Sequence, residues 1–521
     1  MKRLVSYCLI ALFWHLFAAS LLSAQQKPNI IYILADDMGY GDVKALNPDC
    51  KIKTPHLDQL AQGGMIFTDA HSSSSVCTPT RYGILTGRYN WRSRLQNGVC
   101  WGFSRRLIEP KRTTVGSLLQ ANGYHTAAMG KWHLGMNWPL KGGGFADDGD
   151  RWSAQYRGGW NVDYSKPILK GPNTVGFDYF FGISASLDMP PYVFIRNDQP
   201  QVTKLVEKQF LRKGPADVDF EAIDVLPRIT EEVVNYIGRR AEAARAGKPF
   251  FVYFPLNAPH TPILPTAAWK GKSGLNAYGD FVMQVDDTVG QVMQALDKHQ
   301  LARNTLVIFT ADNGCSPQAK FDQLHAKGHR PSYQFRGHKA DIFEGGHRVP
   351  FIARWPAKIK SRSRSDQLIC LTDLMATCGD LVQTTLPADA GVDSVSILPA
   401  LLGTDTKPLR EAVVHHSIRG AFSIRKGDWK LELCPGSGGW SSPRPGRGNL
   451  AKLPAYQLYN LKENIGETEN LQAKHPQVVK ELTTLLQSYV DRGRSTPGAS
   501  QANHGTINIY RAGREAQGKT K

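Results

Sequence analysis

Four apolar runs in this chain each end in a short polar cluster whose residue types suit one site. Asp36-Asp37 follows the run at 29–34, Gly130-Lys131-Trp132-His133 follows 124–129, Asn257-Ala258-Pro259-His260 follows 249–254, and Asp312-Asn313-Gly314 follows 305–310. Adjacent aspartates repel each other unless a cation lies between them. Asp36, Asp37, Asp312 and Asn313 offer only hard oxygen donors, a set that favours Ca²⁺, with Mg²⁺ as the alternative, over zinc. One Asp-Asp pair alone reads as a helix cap or a turn; two such clusters at strand ends read as a metal site. Lys131, His133 and His260 are unremarkable singly, but beside a metal they make a pocket for an anionic, tetrahedral group. A fifth cluster runs Cys77-Thr78-Pro79-Thr80-Arg81. Thr78 suits an N-cap and Pro79 a first helical position, so Cys77 falls at a helix N-terminus, where partial positive charge favours anions. As a thiol, Cys77 reads equally well as a nucleophile and as a buried structural cysteine.

The elements that must carry these clusters follow from periodicity. The four runs are continuous and apolar, as in strands buried on both faces of a parallel sheet. Residues 230–246 and 281–297 have apolar positions at helical spacing. Strands alternating with helices over some 350 residues predict a wound α/β sheet, whose ligand site lies at the carboxyl ends of its strands. After residue 405 the texture changes: short strands at 421–424, 428–433 and 456–461, a Gly/Pro/Ser-rich loop at 436–448 and an amphipathic helix at 476–490 predict a small α+β domain. The organisation expected is a leader at 1–24, an α/β domain at 25–405, an antiparallel sheet plus helix at 406–490, and a disordered polar tail at 491–521.

The motifs together resemble the type I sulfatases. Cys77-Thr78-Pro79-Thr80-Arg81 is similar to their C-x-P-x-R signature. Asp36-Asp37, Gly130-Lys131-Trp132-His133-Leu134-Gly135, Ala258-Pro259-His260, Asp312-Asn313-Gly314 and Arg336-Gly337-His338-Lys339 resemble sulfatase blocks in the family's order. The likeness spans 29–356 and resumes at Asp428-Trp429-Lys430-Leu431 and at Leu458-Tyr459-Asn460-Leu461. Ile465-Gly466 stands where many relatives have Asp-Pro, a departure outside the catalytic set.

The resemblance implies an alkaline-phosphatase-like fold, with a large mixed sheet flanked by helices and a smaller C-terminal α+β domain. It implies oxidation of Cys77 to formylglycine (3-oxoalanine) by a maturation enzyme. The hydrate would attack sulfur and then expel sulfate by re-forming the aldehyde. By the same resemblance Asp36, Asp37, Asp312 and Asn313, with the modified Cys77, hold Ca²⁺. Arg81 orients the hydrate, Lys131 and Lys339 neutralise sulfate oxygens with His338 in support, His260 protonates the leaving alkoxide, and His133 removes the proton that lets sulfate leave. Residues 182–192 resemble a segment of bacterial sulfatases acting on 6-O-sulfated galactose or N-acetylgalactosamine, with Asp188 as a sugar-hydroxyl contact. A phosphatase or phosphonate monoester hydrolase of the same fold, and a non-catalytic sulfated-glycan-binding protein, are the competing readings. The first needs more His and Asp zinc ligands than these clusters supply, and the second needs a lost catalytic residue.

Composition is consistent with these assignments. The chain has 521 residues, 41% hydrophobic and 21% charged, with 63 Lys+Arg against 45 Asp+Glu for a net charge of +18. That is ample for a large core and excludes disordered, collagen-like and coiled-coil classes. Lys2-Arg3, an apolar run and Leu22-Ser23-Ala24 read as an export signal, cleavage of which leaves +16 and no stable membrane insertion. Export to the periplasm or medium permits one or two disulfides among the seven remaining cysteines. An exported cationic protein suits a sulfated saccharide, since steering favours polyanions; export and the acidic metal site argue against nucleic acid. The basic, aromatic stretch from Arg88 through Trp91 and Arg92 to Trp101, Arg105 and Arg106 reads either as a lining of sugar subsites or as a solvated loop.

Overall fold

The computed structural model describes residues 27–146, 159–447 and 450–510; the expected leader at 1–24 lies outside them. Among the described residues no helix is long and apolar enough to cross a membrane.

The main sheet has ten strands: β1 (Asn29–Ala35), β2 (Met65–Phe67), β3 (His125–Lys131), β4 (Tyr179–Ile183), β5 (Phe194–Arg196), β6 (Gln199–Gln201), β7 (Phe250–Pro255), β8 (Thr305–Ala311), β9 (Phe351–Arg354) and β10 (Ser363–Ser365). Their order in space is β10-β2-β9-β8-β1-β7-β3-β4-β5-β6. β8, β1, β7, β3 and β4 form a parallel centre, and antiparallel strands flank it on both sides. β1 is buried along its whole length, which explains its unbroken apolar sequence. The two predicted helices are present as Val225–Arg245 and Ala277–Lys298, and they contact each other.

A second, four-stranded antiparallel sheet follows: β11 (Val413–His416), β12 (Phe422–Lys426), β13 (Trp429–Glu432) and β14 (Gln457–Asn460), with the helix Pro476–Asp491 against it. Three sequence expectations need correction here. Residues 491–510 are not a free tail: Ile507, Ile509 and Tyr510 pack on the core of this sheet, and the His504 amide donates to the Arg92 carbonyl at 2.8 Å. The stretch 88–92 does not line sugar subsites. Tyr89, Trp91 and Arg92 are buried, and the Arg92 guanidinium donates from Nε and Nη2 to both oxygens of Asp393 at 2.8 and 2.9 Å. The seven described cysteines are all buried free thiols, so the expected disulfides are absent among them.

Candidate active site

The parallel strands end side by side, and their carboxyl ends assemble the polar clusters. The Asp36 amide donates to the Ala258 carbonyl at 2.9 Å and the Asp312 amide to the Ala35 carbonyl at 3.0 Å, so three strand ends are stitched together by backbone before any side chain acts. Asp37 (φ 66°) and His133 (φ 57°) both adopt left-handed backbone. Non-glycine residues hold that conformation only where their surroundings enforce it, and such strain clusters at functional sites. Gly130 (φ +130°) is needed for close approach, since a Cβ there would lie 1.9 Å from the Pro255 carbonyl oxygen.

The helix Cys77–Thr86 begins one residue before the expected cap: Val76 is the N-cap and Cys77 already lies in the first turn. Thr78 serves elsewhere, because its hydroxyl donates to the His133 carbonyl at 2.9 Å and accepts from the Cys100 amide at 3.1 Å. It thereby ties the helix start to the turn that carries His133. Every residue of this helix is buried. Arg81 reaches across to Asp312 Oδ2 with Nε at 3.0 Å and Nη2 at 2.7 Å, and to the Lys131 carbonyl with Nη1 at 2.7 Å.

Three buried carboxylates face three buried cations. Lys131 Nζ lies 2.5 Å from Asp36 Oδ2, and Lys339 Nζ 2.7 Å from Asp37 Oδ2. The amide of Asn313 donates to Asp37 Oδ1 at 2.8 Å, and His260 Nε2 stands 3.6 Å from Asp37 Oδ2. Asp36, Asp37 and His260 each offer an atom of ligand type within 4.8 Å of the others. Asp36 Oδ1 and Asn313 Oδ1 are buried with no hydrogen-bond partner. Orphaned buried oxygens cost free energy; a hard cation between these strand ends would satisfy both, so the donor set fits Ca²⁺ or Mg²⁺.

The electrostatics are polarised. Burial alone would raise Asp36, but Lys131, His260 and Arg81 outweigh it and hold the carboxyl well below its usual range. Burial and the Asp36 charge push Asp312 up to about 7 despite Arg81. Burial keeps His133 neutral, helped by the Lys131 and Arg81 charges; its Nε2 lies 2.7 Å from the Cys100 carbonyl oxygen and its Nδ1 has no partner. His260 is likewise lowered, by burial and then Lys339, and its Nδ1 lies 2.7 Å from the Thr261 carbonyl oxygen. Burial raises the Cys77 thiol to about 11 although Lys131 and Lys339 pull it down. An unmodified Cys77 is therefore a protonated, weak nucleophile at neutral pH.

Asp36, Asp37, Arg81, Lys131, Asp312, Asn313 and Lys339 join one network, with Cys77, His133 and His260 on its border. His338 is not joined to it: its ring packs on Phe321 at 5.4 Å between centroids, and Nδ1 lies 2.9 Å from the Lys339 carbonyl oxygen. Asp188, buried beyond the end of β4, feels the His260 and Lys131 charges. Its Oδ2 is paired with Arg212 from the hairpin Leu205–Gln209/Lys213–Asp217, and its Oδ1 has no partner. Arg212 also lies over the Trp101 ring at 5.1 Å. Sequence reading missed Arg212, Thr78 as a tether and Trp440, whose ring lies 6.0 Å from Lys339 Nζ; only the fold brings these residues near the strand ends.

The sulfatase family model matches residues 28–384. An N-acetylgalactosamine-6-O-sulfatase of Bacteroides thetaiotaomicron is 34% identical, the match covering 90% of this chain and 94% of that protein. Human arylsulfatase A is 30% identical over 93% of this chain and 92% of its own length. A solved sulfatase structure from work on glycosaminoglycan metabolism by B. thetaiotaomicron superposes with a TM-score of 0.76 at 32% identity, covering 89% of this chain and 99% of its own. With the fold, the strand-end site and these matches in agreement, the chain belongs to the sulfatase family.

Proposed function

We propose that this sulfatase removes sulfate from a carbohydrate, the 6-O-sulfate of galactose or N-acetylgalactosamine, after Cys77 has been converted to formylglycine by a maturation enzyme. The observation that carries the reading is the pairing of a helix-start Cys77 with a cradle of three buried cations and three buried carboxylates. In such a site an anionic, tetrahedral sulfate can be bound only if the carboxylates are themselves occupied. The thiol of Cys77, raised to about 11 by burial, is itself a poor nucleophile, which supports a modified residue at this position. Asp36, Asp37, Asp312 and Asn313 are the residues to hold Ca²⁺, which when bound supplies Lewis-acid charge at the sulfate.

The remaining roles belong to the chain's own residues. Lys131 and Lys339, which lie against Asp36 and Asp37, neutralise the sulfate oxygens. Arg81 stays with Asp312 and fixes the helix that presents residue 77. His260 donates a proton to the leaving sugar oxygen, and neutral His133 accepts the proton whose loss lets sulfate go. Asp188 Oδ1, buried without a partner, accepts from a hydroxyl of the sugar. The activity named for the Bacteroides relative and the Asp188 environment support the 6-O-sulfate reading. Export, by the N-terminal sequence, belongs to the same proposal.

The test is a panel of sulfated mono- and disaccharides assayed with matured protein. Galactose and N-acetylgalactosamine 6-sulfates should be cleaved faster than glucosamine 6-sulfate or than 2-O- and 4-O-sulfates; preference for any of the latter refutes the substrate assignment. Mass spectrometry of the peptide containing residue 77 should show the aldehyde, and Cys77→Ala should fold but be inactive. Full activity with an intact thiol would refute the mechanism.

A further inference from the structure

Behind the turn that carries Asp37 lies a buried side-chain relay that none of the catalytic roles uses. Asp37 has left-handed backbone (φ 66°), and the chain then passes Gly39 into a 3-10 turn, Tyr40–Asp42. Asp42 is fully buried and accepts from three donors. The Gly39 amide, at 2.7 Å, and the Tyr278 hydroxyl share Oδ2, and His329 Nε2 stands 2.8 Å from Oδ1. The Lys51 amide donates to His329 Nδ1 at 3.4 Å, which places the ring proton on Nε2, facing Asp42.

These partners come from different parts of the fold. Tyr278 sits in the first turn of the helix Ala277–Lys298, where the Asn276 side chain accepts from its amide at 3.1 Å. Its hydroxyl oxygen also lies 3.3 Å from the Asp37 carbonyl oxygen and meets the thiol of Cys315, just beyond Asn313. One phenol thus touches both ligand-bearing segments, the one after β1 and the one after β8. On the other side the Gly41 amide donates to the Pro331 carbonyl at 2.7 Å. A Cβ on Gly39 would lie 2.2 Å from that same oxygen, so the turn sits directly against 330–331.

Both oxygens of Asp42 are engaged by these donors, so Asp42 is not itself offered to a cation. What it supplies is a fixed seat. The left-handed conformation of Asp37 costs free energy and persists only where surrounding contacts hold it. Contacts that orient metal ligands from outside are typically worth about 10–100-fold in metal affinity. We propose that Asp42, fixed by Tyr278 and His329, is a positioning residue for Asp37 and presets its carboxylate for the cation. The inference rests on the Ca²⁺ assignment above and concerns binding, not turnover.

The experiment is calorimetric titration of Ca²⁺ into chelator-stripped, full-length protein well below the Tm of each variant, and it needs neither formylglycine nor substrate. Tyr278→Phe keeps the ring and removes only the hydroxyl. Asp42→Asn keeps the shape but sets an amide NH₂ where a donor already points. Each should weaken Ca²⁺ binding about tenfold or more. The double variant should lose little more than Asp42→Asn alone, because both act through one contact. A merely structural role predicts a lower metal-free Tm with an unchanged Kd; that result, or losses that multiply in the double variant, overturns the proposal. Should Asp42→Asn fail to fold, Tyr278→Phe decides alone, an unchanged Kd counting against the role. Equal binding by wild type and variants refutes the positioning role and leaves the ligand assignment standing. No Ca²⁺ binding by the wild type refutes that assignment, and this role with it.

Discussion

Lys131 and Lys339 lie against Asp36 and Asp37 at 2.5 and 2.7 Å, so a metal held by those carboxylates would share their surroundings with two ammonium groups. Chelation should abolish turnover, and Ca²⁺ should restore it better than Zn²⁺ because every proposed protein ligand is a hard oxygen; restoration by zinc alone would contradict the ligand assignment. The two histidines should separate by substrate. A sugar alkoxide needs a proton as its S–O bond breaks, whereas a nitrophenolate does not. His260→Ala should lose about 10²–10⁴-fold on a sulfated sugar and much less on nitrophenyl sulfate. His133→Ala should harm both, because its step follows departure of the leaving group. Equal losses for His260→Ala on folded, metal-loaded protein, with the first step limiting both substrates, would remove it from the acid role.

Arg92 joins elements that are far apart in the chain. It pairs with Asp393, donates to the Tyr489 carbonyl on the C-terminal helix and to Asn503 Oδ1 in the segment beyond, each at 3.0 Å. Removing one partner of a buried ion pair leaves an uncompensated charge, so Asp393→Ala should lose about 3–5 kcal/mol in urea denaturation. It should also make residues 492–510 sensitive to limited proteolysis; a protected segment would show that apolar packing of Ile507 and Ile509 suffices. This contact also shows where sequence reading stopped. Four of the five parallel strands were legible because burial on both faces leaves a continuous apolar run, and their polar ends marked the site directly; β4 (Tyr179–Ile183), the fifth, was not read as a strand. Arg88–Arg92 looked like surface because composition cannot distinguish a solvated arginine from one whose carboxylate lies 301 positions away. β11 was missed for the same reason: half of Val413–His416 is histidine, and its burial depends on partners in both sheets.

A buried polar cluster lies between the two sheets, beside the apolar contact that Tyr89 and Trp91 make with the second sheet. His71 beside β2, His347 before β9 and His415 on β11 bring ligand-type nitrogens within 4.8 Å of one another. The His347 and His415 rings stack at 3.7 Å with planes at 11°, which leaves their in-plane lone pairs nearly parallel and unable to converge on one metal. A hydrogen-bonded network accounts for the contacts instead. His347 Nδ1–H can donate to His71 Nδ1 across 3.0 Å while its Nε2 accepts from Lys430 at 3.1 Å, and the Ile342 carbonyl accepts from Lys430 at 3.0 Å. The charged groups around the trio are Asp69, Glu344, Arg348, Arg425, Lys430, Glu432 and Glu467. Burial lowers all three histidines, so the folded protein keeps them neutral where an unfolded chain would protonate them. Their contribution to stability is therefore full above the ordinary histidine value of about 6.5, and it is lost as the pH falls below it. Glu432 and Glu467 are raised by burial and act in the opposite sense, so the wild-type slope alone is ambiguous. A paired comparison isolates one histidine. His415→Phe keeps the ring stack and removes the unpartnered Nε2. Relative to wild type it should gain about 1.4 kcal/mol between pH 7.5 and 5.5, the cost of one histidine that cannot protonate in the fold. Urea denaturation of both proteins at the two pH values measures it; a parallel pair of stability curves would mean that His415 carries a proton in the folded protein.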